Sequence, residues 1–468
     1  MKELFKLSPR TLEYDSRRVE PGSAFFAIPG FKMDGYDFVG EAVARGAGVI
    51  VSQRPAPPSV SIPWIQVPEI RLFLAGAAAR HQGDPSRRMQ LVGITGTNGK
   101  TTTAYLIHSI LRLRGPALLM GTVETIIGER RLASELTTPE SVDIQLRLRE
   151  AVDAGCRFGA MEVSSHAIEL HRVFACAFPV AVFTNLTREH LDFHRSMEDY
   201  FAAKAKLFDR AYNPALECAV VNRDDEFGRR LQLSNNVRRI YFGFAPDADI
   251  RPIEHRTSME GTRMRVSLFG ESVEVRSSLI GRHNLYNLLA AAAACHALGF
   301  STSEIARGLA SAPQVSGRFE KIDVPAPFSV VIDYAHTPDA LRNVLQVARS
   351  VTQGRLICLF GAGGDRDRSK RPEMGRVAAE HADRLIVTSD NPRTEDPERI
   401  IQDIVAGIPG GSAPFVAVVD RVEAIRHALA TAEPGDLVLL AGKGHETYQD
   451  VRGRKIRMDE REIVRGAL

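Results

Sequence analysis

Cysteine is scarce and scattered. Cys156, Cys176, Cys218, Cys295 and Cys358 form no C-x-x-C pair and sit mostly in apolar runs, which argues against a disulfide framework and predicts reduced core residues in a cytoplasmic protein. Long apolar runs are missing as well. The longest, Leu288 to Leu298, is broken by His296 and is too short to cross a bilayer, so a buried Ala-rich helix is expected there. The first residues, Met-Lys-Glu-Leu-Phe-Lys, lack the apolar centre of a signal peptide. Charge of one sign is lacking too: the formal net charge is +3 with no Lys/Arg block, which gives no reason to expect a nucleic-acid partner. No short-period repeat, low-complexity tract or heptad run is found. What remains is an ordinary globular composition, 44% hydrophobic and 25% charged over 468 residues, enough for about three domains with cores of their own.

The most informative stretch is Gly93-Ile-Thr-Gly-Thr-Asn-Gly-Lys-Thr-Thr-Thr103. An apolar run, Leu91 to Ile94, reads as a buried strand; the chain then turns through Gly96 and Gly99 into a helix-forming segment, Thr103 to Arg112. Glycines let backbone N–H groups fold around phosphate oxygens, Lys100 can reach the β- and γ-phosphates, and the Thr101 hydroxyl is placed to ligate Mg²⁺. The usual first glycine, five positions before Gly99, is replaced by Ile94. A nucleoside triphosphate site is predicted.

Around this loop the chain reads as three units: 1–86, 87–313 and 314–468. The first is a small α/β unit with strands near Ser23–Ile28 and Ala47–Ser52. The second alternates strands and helices, with strands at 117–121, 158–163, 179–184 and 218–222, then a β-rich excursion over 240–275. The third repeats the rhythm at 329–334, 356–361, 384–389, 415–419 and 436–442. Such alternation predicts an α/β fold built on mostly parallel sheets with helices on both faces, and ligands at the carboxyl ends of the strands.

Polar clusters fall at those ends. Glu162 closes one strand, and its carboxylate is a candidate Mg²⁺ ligand. His190 and His194, four apart, could share a helical face and suggest zinc, but no H-E-x-x-H order or third ligand accompanies them. Lys204, in Tyr200-Phe-Ala-Ala-Lys-Ala-Lys-Leu-Phe208, reads on its own as one more solvated helix lysine. In the third unit Asp333-Tyr-Ala-His336, Gly361-Ala-Gly-Gly-Asp-Arg366, Asp390-Asn-Pro-Arg393 and Gly442-Lys-Gly-His-Glu446 all follow predicted strands. Together they predict a binding surface rather than turns alone.

Taken in order, Thr95-Gly-Thr-Asn-Gly-Lys-Thr-Thr102, Met161-Glu-Val-Ser-Ser-His-Ala167, Thr184-Asn-Leu-Thr-Arg-Glu-His-Leu-Asp192, Gly281-Arg-His-Asn-Leu-Tyr-Asn287, Gly317-Arg-Phe-Glu320 and Asp333-Tyr-Ala-His336 resemble the Mur ligases, ATP-dependent amide-forming enzymes of peptidoglycan precursor synthesis. The resemblance spans all three units. It is greatest to the members that add the third amino acid to UDP-N-acetylmuramoyl-L-alanyl-D-glutamate, and it implies three domains: a UDP-substrate-binding one, a central ATP-binding one and a C-terminal amino-acid-binding one. It implies that Gly96, Thr97, Asn98, Gly99, Lys100, Thr101 and Thr102 bind ATP together with Asn284, Arg318, Asp333 and His336. Thr101, Glu162, His190 and Lys204 would serve the Mg²⁺ ions, Lys204 as a carbamylated lysine, which reverses the solvated reading above. Ser16 would contact the uridine nucleotide; Thr137, Thr138, Ser164 and Arg172 would hold the muramoyl peptide. The family's glutamine two positions before Arg172 is Leu170 here.

Specificity is expected from the third unit. The resemblance assigns Arg366, Asp390, Asn391, Pro392, Arg393, Gly442 and Glu446 to meso-diaminopimelate. That amino acid carries a second carboxylate that lysine lacks; a guanidinium can grip it bidentately, and Glu446 can take the distal ammonium. The implied protein is a cytoplasmic monomer acting on small molecules. Folylpolyglutamate synthase shares the loop and the chemistry but leaves Asp15-Ser-Arg17 and Asp390–Arg393 unexplained, and a nucleotide switch leaves the third unit's polar loops unused.

Overall fold

In the computed structural model, which describes residues 1–30, 33–190 and 193–468, the short apolar runs become the strands of three sheets and one hairpin. The first sheet is parallel, in the order β1-β2-β3-β4, from β1 (Leu12–Glu13), β2 (Ala24–Ala27), β3 (Val49–Ser52) and β4 (Trp64–Gln66). Successive residues of β2 point to opposite faces. Phe26 therefore packs with Val51 and Leu74 on one side, and Phe25 with Ile50 and Val39 on the other.

The second sheet is built on β5 (Gln90–Thr95), β6 (Ala117–Met120), β7 (Glu124–Ile127), β8 (Arg130–Ala133), β9 (Phe158–Glu162), β10 (Val180–Phe183), β11 (Cys218–Asn222) and β12 (Arg238–Phe242), followed by β13 (Ile250–Ser258), β14 (Gly261–Leu268) and β15 (Glu271–Ser277). Its order is β15-β14-β13-β12-β11-β10-β5-β9-β6-β7-β8. The run from β12 to β6 is parallel, with β11, β10, β5, β9 and β6 buried on both faces, and β7 and β8 add an antiparallel edge. At the centre the Phe178 ring lies on Gly93, where a Cβ would come within 3.0 Å of it. The run that opens at Leu288 is, as expected, a buried helix, Arg282–Ala297.

The third sheet comes from β16 (Glu320–Ile322), β17 (Ser329–Asp333), β18 (Leu356–Phe360), β19 (Arg384–Thr388), β20 (Phe415–Val418) and β21 (Leu437–Ala441), in the order β16-β17-β21-β18-β19-β20 and parallel except for β16. Val331, Cys358 and Leu439 face one helical layer; Val330, Ile332, Ile357 and Leu359 face the other. Each fully buried aliphatic side chain contributes about 1.5–3 kcal/mol. A hairpin, β22 (Tyr448–Val451) and β23 (Arg454–Arg457), follows.

The chain divides into two compact units: Met1–Pro252, Ser267–Val273 and Tyr286–Leu309 form one, and Ile253–Val266, Glu274–Leu285 and Ala310–Leu468 the other. The first sheet and β5 to β12 of the second thus belong to one unit. All five cysteines are free and buried, and among the described residues no helix is long and apolar enough to cross a membrane.

Candidate active site

Gln90–Thr95 ends in the phosphate loop, and the helix that follows, Lys100–Leu111, starts directly at Lys100. The loop needs its glycines. Gly96 has φ +143 and a Cβ there would lie 1.9 Å from Thr184 Oγ1, while at Gly99 (φ +86) it would lie 2.4 Å from Asn287 Oδ1. A second strand end grips the loop: Thr184 Oγ1 donates to Asn98 O (2.7 Å), Thr97 N to Asn185 O (2.8 Å) and Asn98 N to Asn185 Oδ1 (2.9 Å). Lys100 Nζ folds back onto the Gly96 and Thr97 carbonyls at 3.0 and 2.7 Å.

Lys204 shares one of those acceptors. It lies on the helix Met197–Ala205, is 1% exposed, and donates from Nζ to Gly96 O at 2.8 Å with the Tyr200 ring centre 4.6 Å away. Burial, and then the nearby Lys100 ammonium, push its pKa well below the ordinary lysine value. The solvated-face reading fails because the helix turns this residue inward onto the loop, a tertiary fact that helical spacing does not carry.

Glu162, at the end of β9, is buried; its Oε2 accepts from Thr101 Oγ1 (3.0 Å) and Thr122 Oγ1 (3.1 Å), its Oε1 from Thr122 N (2.8 Å). The network continues outward. Thr122 and Thr137 hydroxyls are 3.0 Å apart; Thr138 Oγ1 donates to Glu162 O (2.9 Å) and accepts from Ser164 N (3.1 Å); Arg172 donates to Thr138 O (3.0 Å). Glu140 then pairs with both Arg172 (2.9 Å) and Arg71 (3.2 Å). Lys100, Thr101, Glu162, Lys204, Thr137, Thr138, Ser164 and Arg172 are therefore brought together in one unit. Ser164 caps the helix Ser165–Glu169, accepting from Ala167 N at 3.2 Å. Ser16 stands apart, at the start of a 3-10 turn, Ser16–Arg18, between β1 and β2, its hydroxyl donating to Glu41 at 2.8 Å.

His190 and His194 do not share a helical face. The helix begins only at Met197, capped by Ser196, and His190 sits in the left-handed region at φ +56. The His190 ring lies 4.9 Å from that of His166, and His194 Nε2 is 2.9 Å from Ser165 Oγ. Among the described residues no group of three His, Cys, Asp or Glu could hold a metal ion. Leu191 and Asp192, the end of that motif, lie outside the described residues. A hydroxyl beside a buried carboxylate suits Mg²⁺, which keeps waters and phosphate oxygens as ligands and does not require a protein cage.

The second unit carries the other residues. Asp333 accepts from Phe319 N (2.7 Å) and Ala335 N (2.8 Å); burial raises its pKa, with Arg318 opposing. Arg318 lies over the Tyr334 ring at 5.2 Å, His336 Nδ1 donates to Tyr334 O at 2.9 Å, and Asn284 donates to Ile280 O at 2.8 Å. At the sheet's carboxyl edge Asn391 donates to Glu446 Oε2 (2.9 Å), and Lys443, wholly buried, donates to the same oxygen (2.6 Å) and to Asn391 Oδ1 (2.8 Å). Arg393 holds φ +51 and donates to Gly364 O at 2.6 Å; a Cβ on Gly364 would lie 2.0 Å from Pro392 O. Arg366 is exposed. Sequence reasoning missed Thr122, Glu140, Arg71 and Lys443. Thr122 just past β6 was open to the strand-end rule, and Lys443 lies in a loop that the same rule marks; Glu140 and Arg71 are partners of site residues and carry no local signal.

Three family models match in register with this geometry: the Mur ligase family catalytic domain over residues 10–82, the Mur ligase middle domain over 94–295 and the Mur ligase glutamate ligase domain over 317–444. The chain is 49% identical to the UDP-N-acetylmuramoyl-L-alanyl-D-glutamate--2,6-diaminopimelate ligase of Solibacter usitatus over 467 residues, covering 100% of this chain and 94% of that protein. It is 44% identical to the protein of that name from Geobacillus thermodenitrificans, covering 98% and 94%. A solved structure bearing the same name matches with 32% identity and a TM-score of 0.70 over 98% of this chain and 94% of that one. The fold is also that of the Thermotoga maritima MurF ligase in complex with ADP, at 19% identity and TM-score 0.68 over 98% and 96%. With the phosphate loop, the buried carboxylate and the arginine loops falling inside segments matched from end to end, the chain belongs to the Mur ligase family.

Proposed function

We propose that this chain is an ATP-dependent ligase that joins meso-2,6-diaminopimelate to the D-glutamate side-chain carboxylate of UDP-N-acetylmuramoyl-L-alanyl-D-glutamate, releasing ADP and phosphate, in cytoplasmic peptidoglycan precursor synthesis. The observation that carries the reading is the pair of arginine-bearing loops, Gly361–Arg366 and Asp390–Arg393, joined by Arg393 to Gly364 O, in a chain whose other unit holds a phosphate loop on a buried carboxylate. On this reading 1–86 binds the uridine end through Ser16, 87–313 binds ATP with Asn284 among its contacts, and 314–468 binds the amino acid and adds Arg318, Asp333 and His336 to the nucleotide's contacts.

The chemistry follows from charge. A carboxylate is a poor electrophile, so the substrate carboxylate attacks the γ-phosphate and becomes an acyl phosphate, with ADP leaving. The amine of diaminopimelate, having lost its proton, then attacks the acyl carbon; the tetrahedral intermediate collapses and phosphate departs. Both partners of the first step are anions. Lys100 and the N–H groups of Gly99 to Thr102 lower that repulsion at the phosphates. Arg172, held by Glu140, orients the peptide's carboxylate beside Thr138 and Ser164. Thr101, Glu162, His190 and a carbamylated Lys204 would hold Mg²⁺, which supplies further screening of phosphate charge. Lys204 fits carbamylation because only a neutral amine attacks CO₂, and its burial beside Lys100 favours the neutral form. Arg393 and Arg366 receive the distal carboxylate, while Glu446, bonded to Asn391 of the Arg393 loop, takes the distal ammonium.

The test is product formation: incubation with UDP-muramoyl dipeptide, ATP, Mg²⁺ and meso-diaminopimelate, read by mass spectrometry. The tripeptide with one ADP per bond is expected. ATP hydrolysis without a new amide would refute the reading.

A further inference from the structure

Behind the two arginine loops stands a side chain that the mechanism leaves unused. Arg371, at the start of the helix Lys370–His381, is 0% exposed although it is a guanidinium. Such a residue is kept only if it is paired. It donates to Glu395 Oε1 (2.8 Å), Glu395 Oε2 (3.1 Å) and Asp403 (2.9 Å), with the Gly363 carbonyl 3.4 Å away. These bonds hold the Glu395 carboxyl down to about 2, ionised at any working pH.

Glu395 passes that anchorage to both loops. Its Oε1 accepts from Asp365 N at 2.6 Å, the residue directly before Arg366, and its Oε2 accepts from Arg368 at 2.8 Å. Glu395 itself closes the Asp390–Arg393 loop, donating its N–H to Pro392 O at 3.0 Å. Between the loops Gly364 N donates to Asn391 O (2.9 Å), and Thr394 donates to Asp365 from Oγ1 (2.7 Å) and N (3.2 Å). Asp365 and Arg393, one on each loop, both sit in the left-handed region, at φ +52 and +51. Neither is glycine, so the surroundings must impose that backbone. An ion pair serving the core alone would end on core elements; this one ends on the backbone beside the two residues assigned to the substrate's carboxylate.

We propose that Arg371 and Glu395 are positioning residues for amino-acid specificity: the buried guanidinium fixes Glu395, and Glu395 fixes both loops in register, so that Arg366 and Arg393 act on a dicarboxylic amino acid as a pair. This rests on the diaminopimelate reading above. Neither residue touches substrate. Loosening the pair acts on the amino acid whose second carboxylate needs both arginines, leaving a monocarboxylate such as lysine and the other two substrates unaffected.

The experiment compares wild type, Glu395→Gln and Thr394→Val in the full-length enzyme, with KM for meso-diaminopimelate, L-lysine, ATP and UDP-muramoyl dipeptide and a thermal melt. Wild type is measured first, and absence of a diaminopimelate preference there would overturn the underlying reading independently of the variants. Given that preference, KM for diaminopimelate rises about tenfold in Glu395→Gln and about threefold in Thr394→Val, in the range of supporting-residue effects. KM for ATP and the dipeptide stays within about twofold, and the preference over lysine falls in step. Thr394→Val removes one inter-loop bond without exposing Arg371, so it decides the matter should Glu395→Gln fail to fold. An unchanged KM for diaminopimelate in Thr394→Val, or all KM values rising together with the preference intact, would overturn the proposal.

Discussion

Replacing Glu162 by Gln separates stability from metal affinity. The carboxylate receives three hydrogen bonds, from Thr101 Oγ1, Thr122 Oγ1 and Thr122 N. Bonds to a charged acceptor contribute about 1.5–3 kcal/mol and neutral ones about 0.5–1.5, so three weakened bonds amount to a loss of about 3 kcal/mol. Against this, the amide no longer carries a buried charge, whose desolvation costs several kcal/mol. The amide oxygen still accepts from Thr122 N, and the hydroxyls can turn to accept from the amide nitrogen. The two effects nearly cancel, and the net change in folding stability should stay within about 1–2 kcal/mol. Metal binding has no such compensation, because a neutral amide replaces a carboxylate at the Thr101 hydroxyl. A rise of about a hundredfold in half-saturating Mg²⁺ is expected, which is about 2.7 kcal/mol. Phosphate release titrated with Mg²⁺, beside a thermal melt, reads both numbers. An unchanged Mg²⁺ requirement with full turnover would remove Glu162 from the metal site.

Lys204→Ala should be inactive while folded, and a small carboxylic acid added to the assay should restore part of the activity; full activity without rescue would refute the carbamylated-lysine reading. The wholly buried pair Arg421–Glu460 (2.8 Å), which also binds the Ser389 and Ala441 carbonyls at two strand ends, should cost about 3–5 kcal/mol when Arg421→Met leaves the carboxylate unpaired, read by urea unfolding; a loss under about 1 kcal/mol would contradict it. His108 is buried against the Ala117 carbonyl, and burial lowers its pKa from 6.5 to about 4. The unfolded chain takes up that proton first, so the histidine's contribution is complete above pH 6.5 and is lost as pH falls towards 4. It is on the order of 3 kcal/mol, and His108→Leu should flatten the stability–pH curve in that window; an unchanged slope would refute it.

The strands that place the site were legible because each is a short apolar run ended by glycine or a polar turn: β5 into the phosphate loop, β9 into Glu162, β17, β18, β19 and β21 into the four polar loops. Periodicity also carried the Ala-rich helix and the β-rich stretch after 240. What it could not carry was which face of a helix is buried by a distant segment. Lys204 looks solvated in its own helix and is buried because Gly96, far away in sequence, lies over it. His190 and His194 have helical spacing, yet the helix starts only at Met197, capped by the Ser196 side chain. Arg371, Arg421 and Glu140 are ordinary surface residue types by sequence; only the assembled structure shows the carboxylates and carbonyls that permit the burial of the two arginines, and the two guanidinium groups that hold Glu140.

The most direct test of the whole account is the ratio of kcat/KM for meso-diaminopimelate over L-lysine, measured by phosphate release with UDP-muramoyl dipeptide and ATP. Lysine lacks the second carboxylate and leaves Arg393 without its partner, a loss of about 1.5–3 kcal/mol. A preference for diaminopimelate of roughly tenfold to over a hundredfold is therefore predicted; equal or better use of lysine would contradict the assignment of Arg393.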